Sequence, residues 1–220
     1  MRKGIVFSAV AAIAMAAATA AAPVAAASPG SYFVPGPAGV TIEIATVNGS
    51  GCPAGTAAVA VSDDKEAFTV TYSDYLVQAG GSSAPTDFRK NCQISMKVHV
   101  PQGFTYAISS TDYRGFAALA DGATGVQKAS YYFQGQQQTA AKTHTLRGEY
   151  ADNWQFTDTN DVGQLVWAPC GEERNFNINT ELRVNKGSSD PSEMSFMAMD
   201  STDGSIKTIY HFEWMECPPW

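Results

Sequence analysis

Hydrophobic and polar residues alternate with a period of two along most of this chain. Val40, Ile42 and Ile44 alternate with Thr41, Glu43 and Ala45; Ile94, Met96, Val98 and Val100 alternate with Gln93, Ser95, Lys97 and His99. Phe68, Val70 and Tyr72 are separated by threonines, and Ile206, Thr208, Tyr210, Phe212 and Trp214 share one parity near the end. The clearest run sets Phe176, Ile178, Thr180, Leu182 and Val184 against Asn175, Asn177, Asn179, Glu181 and Arg183. Side chains on a strand point to opposite faces in turn, so this pattern predicts strands with one face in a core and one in water. It places Asn177 and Arg183 on the solvent side. Strands of this half-buried kind belong to antiparallel sheets, whereas strands of a parallel sheet read as solid apolar runs.

Weaker alternation predicts further strands around 56–62, 104–112, 126–134, 142–150 and 192–199. Asn48-Gly49, Asp121-Gly122, Asn185-Lys186-Gly187 and Asp203-Gly204 mark turns between them. The glutamine-rich stretch 134–138 reads as a hairpin tip or loop. Helix is confined to short turns at Tyr75–Gln78 and Phe116–Ala120, neither long enough to stand on its own propensity. The expected fold is all-β: an antiparallel β-sandwich or sandwich-like barrel. No linker or internal repeat divides it.

The first residues follow a different pattern. Arg2 and Lys3 precede an alanine-rich apolar run from about Gly4 to Ala22, and Ala25, Ala26 and Ala27 supply small residues for cleavage. This is the three-part layout of a secretory signal. We therefore expect residues 1–27 to be a signal peptide and 28–220 a single secreted β domain with its core at about 38–217. No later stretch is apolar enough for a membrane span. Export also sets the chemistry of the four cysteines, Cys52, Cys92, Cys170 and Cys217. In an oxidising compartment two disulfides are the default, and no CxxC spacing suggests zinc. Four cysteines allow three pairings; proximity favours Cys52 with Cys92 and Cys170 with Cys217.

Charge narrows the partners. The net charge is -7 and falls to -9 once the two basic residues of the leader are removed. That is unfavourable for contact with nucleic acid or other acidic polymers. Reactive motifs are missing: there is no G-x-S-x-G elbow, no H-E-x-x-H and no phosphate-cradling glycine loop. The three histidines, His99, His144 and His211, fall in separate strands. His211 and Glu213 point the same way and could hold a metal or orient an imidazole. Asp63, Asp64 and Glu66, then Asp158, Asn160 and Asp161, then Asp200 and Asp203 form acidic turns, none matching a calcium-binding loop. Glu172 and Glu173 are adjacent and point oppositely if they lie in a strand. We expect no metal and no cofactor.

Aromatic residues are more informative. Tyr131, Tyr132 and Phe133 are consecutive, so in a strand Tyr132 faces away from its neighbours. An exposed ring can stack on a sugar or anchor a partner. Tyr132 and Trp154 are the candidate surface-binding residues.

Three segments together carry a resemblance. They are Gly51-Cys52-Pro53-Ala54-Gly55-Thr56, then Arg89-Lys90-Asn91-Cys92-Gln93, then Cys170-Gly171 followed by Asn175-Phe176-Asn177-Ile178-Asn179-Thr180. In this order they resemble a family of small secreted proteins from fungi and filamentous bacteria, described as a domain of unknown function. The resemblance runs over roughly 40–217 and includes all four cysteines. It implies a disulfide-bearing extracellular domain and supplies no catalytic residue. The sequence thus favours a secreted, non-enzymatic protein that binds an extracellular surface, glycan or protein. Two alternatives stand beside it: a hydrolase using a carboxylate pair, and an inhibitor or effector acting through one loop.

Overall fold

The computed structural model describes residues 33–137, 139, 141–199 and 207–218. The expected signal peptide, the Asp203-Gly204 turn and the third acidic cluster lie outside the described residues. Twelve strands are present among those described: β1 Thr41–Asn48, β2 Ala57–Val61, β3 Ala67–Tyr72, β4 Leu76–Ala79, β5 Arg89–His99, β6 Phe104–Leu119, β7 Thr124–Phe133, β8 Lys142–Arg147, β9 Tyr150–Thr159, β10 Phe176–Asn185, β11 Ser195–Met199 and β12 Thr208–Glu216. They form two antiparallel sheets. One has the order β1-β5-β10-β7-β8. The other has the order β2-β3-β12-β6-β11-β4, with β9 paired along the opposite edge of β6.

The all-β, disulfide-stapled architecture is the one the alternation predicts. The two expected helical turns are corrected: Leu76–Ala79 is strand β4, and Phe116 lies in the last third of β6. Both segments pair with β11, Leu76 opposite Ala198 and Ala198 opposite Phe116. Ladder hydrogen bonds here override a weak local propensity. The expected strand 142–150 is two strands, β8 and β9, which belong to different sheets.

The core is a stack of rings gathered from both sheets. Phe68 of β3 stacks on Tyr210 of β12, with centroids 4.8 Å apart and planes 5° apart. Phe176 of β10 meets Phe68 edge-on at 6.2 Å from the other sheet. Tyr106 of β6 meets Phe133 of β7 in the same way at 5.3 Å. Edge-to-face pairs of this kind add to the burial of apolar area. Ile178, Leu182 and Val184 face this core as the alternation predicts, and Thr180 joins them with its hydroxyl 3.2 Å from the Tyr75 hydroxyl. Cys52 is bonded to Cys92 and Cys170 to Cys217, with Cα separations of 5.4 and 5.9 Å.

Arg183 is exposed as expected, but Asn177 is not. It sits on the outer face of β10 and is still 7% exposed, because its amide donates to the Asn175 and Tyr132 carbonyls at 3.2 and 3.5 Å. The polarity of Asn177 satisfies backbone acceptors rather than water.

Candidate functional site

One stretch of the outer face of the five-stranded sheet groups amides and hydroxyls around one ring, while Glu181, Arg183, Arg89 and Lys128 make its other end ionic. β10 contributes Asn177 and Asn179, β5 contributes Gln93 and Ser95, and β7 contributes Tyr132. Register puts Asn177 between Tyr132 and Ser95, and Asn179 opposite Gln93. Gln93 Nε2 donates to the Tyr132 hydroxyl at 3.5 Å, and Asn175 Nδ2 donates to Ser95 Oγ at 3.2 Å. The Asn177 amide is taken up by backbone carbonyls, so on this stretch Asn179 and Gln93 are the amides that offer donors and an acceptor without net charge.

At the end of this face nearest His99 the surface drops into a cleft of about 570 Å³, lined by Glu43, Lys97, His99, Glu173, Arg174 and Asn175. A second hollow of about 370 Å³ adjoins it, between the β5–β6 turn and the segment 168–174, and shares His99, Glu173 and Arg174. The charged and titratable groups lining them have partners within reach. Lys97 Nζ is 3.4 Å from Glu43, and His99 Nδ1 is 3.0 Å from Glu173. Arg174 donates through Nε to Glu172 at 2.7 Å and through Nη1 to the Gln134 carbonyl at 3.2 Å. Glu172 and Glu173 lie outside any strand, one beside an arginine and one beside a histidine, and both are exposed.

Tyr132 is half-buried on this face. Trp154 is elsewhere, and its expected role as a surface ring is corrected: it is 3% exposed. It lies opposite Gly115 in the ladder, and a Cβ at Gly115 would stand 2.5 Å from the indole. The indole fills the space that the glycine leaves, with Phe156 at 5.1 Å on its other side. The remaining histidines also find acids. His144 Nε2 is 2.9 Å from Asp158 Oδ1, and His211 Nε2 is 3.3 Å from Asp112 Oδ2, so the partner of His211 is Asp112 rather than Glu213. In the first acidic turn Asp64 Oδ1 accepts from the Ser62 hydroxyl and the Glu66 amide, which is ordinary turn chemistry. Sequence reasoning missed the amide face because it treated Asn177 and Asn179 only as the wet side of a strand. The signal was present in their common parity with Asn175 and in their chemical sameness.

Several carboxyls have shifted titrations. Partial burial works to raise Asp112, but the Thr157 hydroxyl, His211 and Arg114 outweigh it and hold the group below its ordinary value. Burial likewise works to raise Glu181, but Arg89 and Arg183 outweigh it, and this group also ends low. Glu213 is raised, by burial first and by Glu66 second. A group lowered on folding adds stability above its unfolded pKa, and that stability is lost as pH falls through the folded one. Glu213 acts in the other sense: it favours the fold at acid pH and loses that contribution as pH rises through its folded value. Asp112 and Glu181 together make the protein less stable on acidification, and Glu181→Gln is expected to flatten the acid limb of a plot of melting temperature against pH. An unchanged acid limb in the variant counts against this assignment.

The fold and these surfaces define a small disulfide-stapled β-sandwich protein with no helix long and apolar enough to cross a membrane among the described residues. The chain belongs to the family described as Domain of unknown function (DUF4360), whose model matches residues 38–217. It is 35% identical over 183 residues to an uncharacterized secreted protein of Arthroderma benhamiae, covering 83% of this chain and 74% of that one. Two disulfides and a secreted relative place this protein outside the cell. Among solved structures, an arabinose-bound α-L-arabinofuranosidase matches 73% of this chain at 12% identity and a TM-score of 0.20. This chain spans 23% of that enzyme's length.

Proposed function

We propose that this is a secreted, non-enzymatic protein that binds an extracellular glycan through the outer face of its five-stranded sheet. One observation carries the reading: Tyr132 lies in register with a neutral amide and hydroxyl face that leads into a cleft whose ions are paired with one another. A sugar presents hydroxyls that both donate and accept, and apolar ring faces that stack on an aromatic side chain. An amide face around a tyrosine matches both needs. A charged ligand gains less here, because it has to displace an existing partner from Lys97, His99 or Arg174. The overall acidity of the chain disfavours anionic polymers further.

The test is co-sedimentation of the secreted protein with insoluble cellulose, chitin and β-1,3-glucan. Binding to at least one neutral polymer is expected, weakened about tenfold by Tyr132→Ala, since an aromatic contact contributes roughly 1 kcal/mol or more. Tyr132→Phe should keep most of it. No binding by the parent protein, or full binding by a folded Tyr132→Ala variant, removes the reading. Release of soluble sugar from any of these polymers replaces it with the hydrolase.

A further inference from the structure

The opposite outer face, that of the seven-stranded sheet, carries a second set of rings. Phe116 of β6 and Phe196 of β11 lie with centroids 5.9 Å apart and planes 31° apart. Leu76 of β4 stands beside them, and both Leu76 and Phe116 are 36% exposed. Adjoining rings that reach the surface in this way supply apolar area on which a ligand can rest.

What adjoins the rings indicates the kind of contact. Asn153 is directly opposite Phe116 on β9, Gln155 is opposite Arg114, and Thr157 is opposite Asp112. Arg114 Nε donates to Gln155 Oε1 at 3.0 Å, and the Thr157 hydroxyl donates to Asp112 Oδ1 at 2.6 Å. Asp112 Oδ2 is held by His211 at 3.3 Å and Arg114 at 3.7 Å. The charges on this strip are thus cancelled among themselves. From Phe116 to Asp112 along one face of β6 is about 13 Å, the rise of four strand residues, enough for roughly two or three sugar rings in a row.

We infer that this strip is a second glycan-binding face, taking an extended neutral polysaccharide chain with one sugar stacked on the Phe116–Phe196 pair and its neighbours hydrogen-bonded by Asn153, Gln155 and Arg114. Charge matching selects a neutral ligand: an anionic polymer meets Asp112, and a cationic one meets Arg114, each already paired. A file of groups that donate and accept suits a hydroxyl-rich chain, whose hydroxyls do both. The two faces belong to different sheets, packed about 10 Å apart and facing away from each other. One molecule therefore holds two chains at once and cross-links the polymer. Cross-linking rests on the function proposed above for the first face; the second face rests on its own residues.

The experiment uses the secreted protein with soluble neutral β-glucan and glycol chitin as probes and polygalacturonate as the anionic control. Binding is read by affinity electrophoresis and cross-linking by light scattering. The parent protein is expected to bind a neutral probe and to raise scattering, with a maximum at intermediate protein-to-polymer ratio. The double variant Phe116→Ala/Phe196→Ala should still bind through Tyr132 but lose the scattering peak. Tyr132→Ala should also still bind and lose the peak, and adding the two phenylalanine changes to it should abolish binding. Gln155→Ala, a change at an exposed position, should weaken binding in the Tyr132→Ala background about fivefold, the net loss of one ordinary hydrogen bond. If Tyr132→Ala alone abolishes all binding, the proposed function stands and the second face falls. If the phenylalanine double variant scatters like the parent, or the parent is a dimer that this variant converts to monomer, the strip is not a glycan site. Preference for polygalacturonate, or no binding to a neutral probe in the Tyr132→Ala background, also overturns the inference.

Discussion

Replacing both cystines, by reduction or by serine at all four positions, is expected to leave the chain unfolded at physiological temperature. The bonds join residues 40 and 47 positions apart. Restricting the unfolded chain over loops of that size stabilises the fold by about 4 kcal/mol each, on the chain-entropy account. Together that is comparable with the whole stability of an ordinary domain, about 5–15 kcal/mol. The two bonds are not equivalent in packing. Cys52 and Cys92 are buried in the core, whereas Cys170 and Cys217 sit in a half-buried position beside the cleft. Loss of the first bond should therefore lower the melting temperature more than loss of the second. Thermal melts of the two paired Cys→Ser variants, and of the parent with and without reductant, check this. A reduced protein that melts where the oxidised one does refutes it.

Trp214→Ala is expected to cost about 3–5 kcal/mol, the range for truncating a fully buried large aromatic residue. Trp214 is 1% exposed and packs on Phe212 at 4.9 Å and Tyr106 at 5.8 Å. Its indole also donates to the Lys65 carbonyl at 2.9 Å, which ties β12 to the β2–β3 turn. Removing the ring opens a cavity and leaves that carbonyl without its donor. Trp214→Phe keeps most of the volume and should cost markedly less. Midpoints of denaturant unfolding for the two variants give the comparison, and equal losses would show that the hydrogen bond outweighs the packing.

Why some elements were legible in the sequence and others were not follows from how many cues each one carried. β5, β10 and β12 alternate cleanly because each is central, with one face in the core and one outside. β4 and the end of β6 were misread because Leu76 and Phe116 are apolar groups on an outer face, which breaks the alternation. β9 was hidden because Asp152 and Asp158 share the parity of Trp154 and Phe156, which breaks the apolar file after two residues. Cysteine pairing was readable from proximity alone, since each bond closes a sequence-local loop. Which rings reach the surface was not readable. Trp154 is buried by a glycine on a neighbouring strand, a relation that exists only after the strands have paired. The cleft was invisible for the same reason, since Glu43, His99 and Glu173 come from three separate segments.

β6 turns its pleat over at Ser109. Phe212 is opposite Ile108 and His211 is opposite Ser110, so Ser109 is an extra residue with no counterpart, its hydroxyl close to both carbonyls of the partner strand. Before it, Tyr106 and Ile108 face the core; after it, Thr111, Tyr113 and Ala117 do, and Asp112, Arg114 and Phe116 face outward. Such a bulge works like a frameshift in the strand's two-beat phase. Without it, everything downstream would invert, sending Phe116 and Asp112 inward and Tyr113 into water. The outer surface of the seven-stranded sheet thus hangs on a single inserted residue, and deletion of that residue would exchange one surface for another in a single step.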